Sequence, residues 1–350
     1  MAPPPEDQPS TRTQRLVAWA AWAALRTLSA LPLWLGYALA DLVAPLLVLF
    51  TLQHERKVRH KGRGLFRNQR IVFRDAWTPE LSRRLLWGWA RHMTRLVVDF
   101  ARIQVLDAKA MRACFDMREL AKVRDLRARG QGVICLTGHI GVWELSGHLA
   151  AVSGWTITSI ARPPKNHALS DVGNAIRGSG GQIVLAKWGV LRPIFKGLRR
   201  GELAGVIADE NARTNPVFVP FLGTLAATNR APALIHLKTG APIAVVSVAR
   251  LERGRFRFHV WDVIEPRPSS GSREVDVERV ARRINDGLSR AILAYPEQWL
   301  WGMRRYHTRP PGEVLGPDGL PPVAPDGPQE AYPPGYDAAP GQARGAISLH

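Results

Sequence analysis

Apolar residues dominate the chain from Leu16 to Leu52, broken by Arg26, Pro32, Asp41 and Pro45. The run is too long for the apolar core of a cleavable signal and has no clear small-residue cleavage site. Thr27–Leu52 reaches the roughly 20 apolar residues that span a bilayer, if Asp41 is tolerated. The pattern predicts two helices bent at the prolines, half inserted or spanning once; a hydrophobic hairpin packed on the domain also fits. A basic stretch from Arg56 to Arg74 follows, including Lys57, Arg59, Lys61, Arg63, Arg67 and Arg70. Under the positive-inside rule it stays cytoplasmic.

Beyond it the periodicity changes. Pro79–Leu106 has apolar positions at helical spacing and predicts an amphipathic helix; a polar, charged stretch before Gly130 predicts another. From Val133 onward, short β-rich runs alternate with helical stretches. Strands are expected at Val133–Leu136, Trp155–Ala161, Ile183–Leu185, Ala204–Ala208, Ile243–Ala249 and Phe256–Ile264. Helices are expected at Glu144–Val152, His167–Gly178, Val190–Arg200, Arg230–Thr239 and Val277–Tyr295. Such alternation predicts an α/β domain with a largely parallel central sheet, the last two strands forming an antiparallel hairpin across Arg250–Arg255. Residues 314–350 contain eight Pro and six Gly among 37, a composition ill suited to burying a core. The expected organisation is a disordered N-terminus (1–14), membrane-anchoring helices (15–55), one folded domain (56–313) and a disordered tail (314–350).

Charge adds a partner class. The chain carries a net +19, but residues 1–10 contribute −2 and residues 314–350 contribute −3, so the body between holds +24. Such a body suits nucleic acid or an anionic phospholipid surface. The arginines are spread through the chain without a nucleic-acid-binding signature. They accompany an apolar N-terminus and twelve Trp, a residue enriched at membrane interfaces. The expected partner is therefore an anionic membrane surface and not nucleic acid, although a GC-rich genome also raises the arginine content. Cys114 and Cys135 form no CxxC pair, which removes a disulfide framework and a zinc site from consideration. Cys135, inside an apolar strand, reads as a small core residue, and a reducing compartment is expected.

One constellation carries candidate chemistry: Thr137-Gly-His139-Ile-Gly-Val-Trp-Glu144-Leu-Ser-Gly147, placed where a strand gives way to a helix. Turns at the carboxyl edge of an α/β sheet commonly bind ligands. A carboxylate meeting His139 would fix the imidazole tautomer and free its other nitrogen to take a proton from a hydroxyl. Composition alone yields roughly one such His–acid spacing by chance, and a capping or core histidine fits the spacing too. The glycines and Trp143 between strand and helix favour the functional reading. No Gly-x-Ser-x-Gly elbow is present, so a serine esterase is disfavoured. His148, His167, His236 and His307 have no visible partner and read as structural. The Trp299/Trp301 pair reads as packing.

The segment resembles the HxxxxE/D motif of the bacterial lipid A biosynthesis (lauroyl/myristoyl) acyltransferase family, which also contains phosphatidylinositol mannoside acyltransferases. Further blocks agree in order and spacing over roughly residues 25–313: Ala161-Arg-Pro-Pro-Lys-Asn166, Gly201–Asn211, Pro216–Gly223 with Ala227-Thr228, Thr239–Ile243, and Pro296–Trp301 with Arg304-Arg305 and Thr308–Gly312. Val142 departs from the Asn that many members carry before the Trp. The resemblance implies a glycerolipid-acyltransferase-like mixed, mainly parallel sheet flanked by helices, on the cytoplasmic side of an inner membrane. It implies an acyl thioester donor, on acyl carrier protein or coenzyme A, and a lipid hydroxyl as acceptor, with no metal or other cofactor. It carries over His139 as general base, Glu144 as its orienting partner, Arg162 as the holder of a phosphate or oxyanion, and Asp209 as a substrate-binding residue. The acceptor stays open among a lipid A precursor, a lysophospholipid, an ornithine-type lipid and a mannosylated phosphatidylinositol. A non-catalytic protein that binds anionic lipid is the reading from another class.

Overall fold

The computed structural model of the chain describes residues 11–58, 64–161, 166–186 and 191–325. Helix α1 (Arg12–Ala30) opens on a capping box: Thr11 Oγ1 accepts from the Gln14 backbone and Gln14 Oε1 accepts from the Thr11 backbone. The helical chain thus starts before residue 15. Pro32 separates α1 from α2 (Leu33–Val58), whereas Pro45 sits inside α2 without ending it. After α3 (Leu65–Phe73) comes the amphipathic α4 (Pro79–Arg102), capped by Thr78 with Pro79 in its first turn. One stripe of α2, including Gly36, Tyr37, Ala40, Ala44 and Val48, is buried. Asp41, the charge that interrupts the apolar run, pairs with Arg91 (2.9 Å) and Arg95 (2.6 Å) of α4. The opposite face leaves Trp34, Leu42, Leu46 and Phe50 more than half exposed. By length and composition α2 is able to cross a membrane, with a third of its apolar window packed against protein.

The α/β body begins with α5 (Ala108–Cys114), β1 (Phe115–Asp116) and α6 (Leu120–Arg127). Strand and helix then alternate through β2 (Val133–Thr137), α7 (Trp143–Val152), β3 (Ile157–Ala161), α8 (His167–Gly178), β4 (Ile183–Ala186), α9 (Leu191–Arg199) and β5 (Leu203–Ile207). A hairpin of β6 (Val217–Phe221) and β7 (Thr224–Thr228) follows, then α10 (Ala231–Thr239), β8 (Ile243–Arg250), β9 (Phe256–Ile264) and α11 (Arg273–Ala294). The seven-stranded sheet has the order β1-β9-β8-β2-β5-β3-β4. Strands β8, β2, β5, β3 and β4 run parallel, while β9 pairs antiparallel with β8 as its hairpin predicts. Alternate residues of each strand feed opposite cores. On β2, Val133 packs with Leu145 and Leu149 of α7, whereas Ile134 and Leu136 pack with Ile284 and Leu288 of α11.

Two elements depart from the sequence pattern. The β6–β7 hairpin was absent from it; Pro220 interrupts the run, and the turn uses Leu222 and Gly223, both at positive φ (48° and 77°). Buried Arg305 ties this hairpin down, donating to the Ala227 carbonyl (2.7 Å) and Thr228 Oγ1 (3.0 Å). The tail also holds structure past residue 313. Val323 bridges to Thr224, the Ala324 amide donates to the Gly223 carbonyl (2.9 Å), and Leu320 and Ala324 are buried. Arg74 clamps the segment through the Pro321 carbonyl and Thr224 Oγ1. Leu320 and Ala324 find a ready-made groove on the hairpin, which composition alone does not reveal, while Val314, Leu315 and Val323 stay exposed. Residues 1–10 and 326–350 lie outside the described residues.

Removing 314–325 exposes that groove. A chain ending at 313 is expected to be less stable than one ending at 325 by about 2 kcal/mol, or roughly 4 °C in Tm. Calorimetry on the two truncated proteins checks this, and equal Tm values would contradict the packing described.

Candidate active site

His139 lies in the five-residue loop between β2 and α7, at the carboxyl edge of the parallel strands. The loop is clamped by three backbone hydrogen bonds. The Leu300 amide donates to the His139 carbonyl (3.0 Å), the Gly141 amide to the Gln298 carbonyl (3.0 Å), and the Val142 amide to the Val248 carbonyl (2.7 Å). Gly141 has φ +64°, and a Cβ there would sit 2.0 Å from the Val248 oxygen, so only glycine fits.

The carboxylate that meets His139 is Asp209, just beyond β5. Its Oδ1 lies 2.8 Å from His139 Nδ1, and its Oδ2 accepts from the His139 backbone amide at 2.7 Å and from Trp299 Nε1 at 3.0 Å. Asp209 has no solvent exposure, while the His139 side chain keeps 19%. A carboxylate accepts only, so Nδ1 carries the proton and Nε2 presents a lone pair. Burial disfavours charge on His139, yet the Asp209 carboxylate and its hydrogen bond outweigh burial and raise the imidazole pKa; Glu210 and Glu144 add to the effect. Burial pushes Asp209 upward, but charged His139 and the donated hydrogen bonds hold it below the ordinary carboxylate range. The ring of Trp143 meets His139 edge-on at 5.3 Å.

Two expectations change. Glu144 does not orient His139: it sits in the first turn of α7, and both its oxygens accept from Arg177 of α8 at 2.7 Å. Asp209 does not face a substrate, because its oxygens are consumed inside the protein. Glu144 and Arg177 are both partly exposed and line the same cavity as His139. The hydrogen bonds that Arg177 donates to Glu144 raise its pKa against the effect of burial. Arg162 lies outside the described residues. Reasoning from sequence passed over Arg177 and the indole of Trp299; nothing local to either residue marks its partner. His148 and His236 are buried against backbone carbonyls, as structural histidines are.

The cavity has a volume of about 680 Å³ and is lined by the sheet, by helices α7 and α8, and by Ala231, Pro232 and Ile235 of α10. Leu120, Cys135, Val246 and Phe258 give it an apolar wall, to which Leu25 of α1 contributes. Cys135 is therefore a wall residue rather than core filling, and burial pushes its thiol up to about 12. Among the described residues no cluster of His, Cys, Asp or Glu could hold a metal ion. A polar imidazole–carboxylate pair at the edge of a greasy slot suits proton transfer beside a long alkyl chain.

A family model described as bacterial lipid A biosynthesis acyltransferase matches residues 5–308. The chain belongs to that family. A lipid A biosynthesis acyltransferase of Haemophilus influenzae is 21% identical over 243 residues, covering 68% of this chain and 74% of the relative. A lipid A biosynthesis palmitoleoyltransferase of Escherichia coli is 26% identical over 206 residues, covering 58% and 65%. A lipid A biosynthesis myristoyltransferase of the same organism is 24% identical over 200 residues, covering 57% and 61%. The chain thus spans somewhat under two thirds of the two Escherichia coli proteins.

In Asp209→Asn the main group raising the His139 pKa is lost, so its imidazole is expected to titrate at lower pH than in the native protein, read by NMR of labelled histidine. The sign for stability follows. A raised native pKa contributes stability that is complete below the unfolded value near 6.5 and is lost as pH rises through the native value. The lowered Asp209 pKa contributes stability that is present above its unfolded value and lost as pH falls through the native one. An unmoved His139 titration in Asp209→Asn would contradict the geometry.

Proposed function

We propose that this family member transfers a fatty acyl group from a thioester of acyl carrier protein or coenzyme A to a hydroxyl of a lipid A precursor, with His139 as general base. The observation that carries this reading is the buried Asp209–His139 pair at the edge of an apolar cavity. The acyl chain lies in the cavity with its carbonyl beside Nε2. His139 takes the proton of the acceptor hydroxyl as its oxygen attacks the carbonyl carbon. The C–S bond then breaks and the imidazolium returns its proton to the thiolate, leaving ester and thiol. Asp209 supports the charged imidazole without being protonated. The developing oxyanion falls to the backbone N–H groups of Trp143 and Glu144 at the start of α7, and to Arg162 through the family resemblance. Glu144 fixes Arg177 as a cation at the polar end of the cavity.

The membrane contact belongs to α1 and α2. Leu16, Trp19 and Trp22 on α1 and Trp34, Leu42, Leu46 and Phe50 on α2 are exposed, with Arg12, Arg15 and Arg26 beside them. An apolar face rimmed by arginine suits an anionic leaflet. On this reading the pair of helices seats the domain on the cytoplasmic face of the inner membrane. Because Leu25 of α1 lines the cavity, a lipid hydroxyl reaches His139 along the same helix.

His139→Ala is expected to abolish transfer of radiolabelled lauroyl or myristoyl groups, supplied on acyl carrier protein and on coenzyme A, to a total lipid extract, while the protein still folds, at a lower Tm because buried Asp209 loses its ring partner. Undiminished transfer would end the proposal; the labelled lipid identifies the acceptor. In the native protein kcat rises with pH through the raised pKa of His139, since only the neutral imidazole is a base. Replacing Trp19, Leu42 and Leu46 together by Glu should weaken flotation with anionic vesicles at least ten-fold, about 1.4 kcal/mol. Native flotation of that folded variant would contradict the membrane face.

A further inference from the structure

A continuous chain of buried polar side chains joins α2 to the loop that carries His139. The Tyr37 hydroxyl of α2 donates to Asp99 Oδ1 of α4 at 2.6 Å. Asp99 Oδ2 accepts from Nε of Arg250, at the end of β8, at 2.9 Å and also from its Nη2. Arg250 Nη1 donates to Nδ1 of His92 in α4. A guanidinium only donates, so His92 Nδ1 is the acceptor and the proton sits on Nε2. That N–H donates to the Gly141 carbonyl at 3.1 Å. Gly141 lies two residues after His139 and three before Glu144.

The other side of the Gly141 residue is tied to the same arginine. Its amide donates to the Gln298 carbonyl, while the Gln298 side-chain amide accepts from the Arg250 backbone N–H (2.9 Å) and donates to the Arg250 carbonyl (2.8 Å). Tyr37, His92, Asp99 and Arg250 are each 8% exposed or less. Burial and the neighbouring Arg250 charge hold the His92 pKa well below its ordinary value, with Arg95 adding a little, so the ring stays neutral and its tautomer is fixed. Apolar residues frequently replace a buried ion pair without loss of stability. Stability alone therefore gives no reason for so long a polar chain between an apolar helix and the loop that carries His139.

We infer that His92 and Arg250 are positioning residues that hold the His139 loop through the Gly141 carbonyl, and that Tyr37 and Asp99 tie their alignment to the docking of α2. The inference rests on His139 being the base. With the carbonyl held, the loop keeps the His139 amide and ring on the two oxygens of Asp209. With it released, the ring drifts from Asp209 and loses part of the charge stabilisation supplied by Asp209, Glu210 and Glu144.

The test uses the full chain in phospholipid vesicles with the radiolabelled lauroyl and myristoyl thioesters and total lipid extract. In His92→Leu, kcat per folded molecule is expected to fall at least ten-fold with KM for the donor changed less than two-fold. The acid limb of its kcat profile moves to lower pH, because His139 is less well paired. His92→Gln, whose amide nitrogen reaches the position of Nε2, restores kcat to within about three-fold. Tyr37→Phe removes one hydroxyl remote from the cavity and lowers kcat three-fold or more with the same movement of the limb. It decides the matter if His92→Leu does not fold. Folded Tyr37→Phe or His92→Leu with native kcat and native limb overturns the inference, as does a loss confined to KM or to the folded fraction. His139→Ala in the same assay separates the two readings. Activity there overturns the base assignment and the positioning role with it, whereas an inactive His139→Ala beside a native His92→Leu overturns the positioning role alone.

Discussion

A carboxylate sealed from water must have its lone pairs met from within, and Asp209 meets its own by drawing three separate segments to one point. The His139 amide, the His139 ring and the Trp299 indole all donate to it. These groups come from the β2–α7 loop and the segment after α11, while the acceptor stands beyond β5. A Cβ on Gly138 would lie 2.9 Å from Asp209 Oδ2, so the approach of loop to carboxylate depends on glycine there. The same contact sets the tautomer of His139, raises its pKa and directs Nε2 away from the protein's own acceptors. Structure and chemistry thus share one buried charge.

Around that point the domain divides its two sheet faces between different tasks. The face covered by α11 and the β6–β7 hairpin is densely apolar and stapled by Arg305. The cavity of about 680 Å³ opens along α7 and α8 and extends to α10. Helix α1 contributes Leu25 to the cavity, and α2 is linked to the His139 loop through buried hydrogen bonds. A helix pair that looks like an attachment in sequence is, in three dimensions, part of the wall and scaffold of the site.

The sheet strands were legible because they read as short apolar runs spaced by helical stretches. The β6–β7 hairpin was not, since a Leu-Gly turn and Pro220 carry none of the usual hairpin chemistry. The packed part of the tail escaped notice for a related reason. Proline and glycine content reports the cost of ordering a segment, not the presence of a groove that repays it. At the site, the spacing of His139 and Glu144 identified two residues that share one cavity but misjudged their contact. Helix α7 begins at Trp143, so Glu144 takes a first-turn position on the helix and meets Arg177, 33 residues away. The partner of His139 stands 70 residues away on a neighbouring strand end.

By itself the sequence determined what short-range patterning encodes: the α/β alternation, the apolar N-terminal helices, the basic body, and a histidine placed where a strand turns into a helix. Only the tertiary structure decided which carboxylate holds that histidine, which cation holds Glu144, and how an apolar N-terminal helix is linked to the His139 loop. Strand order is the physical reason. β2 and β5 are far apart in the chain but adjacent in the sheet, and adjacency at their carboxyl ends brings His139 and Asp209 within hydrogen-bonding reach.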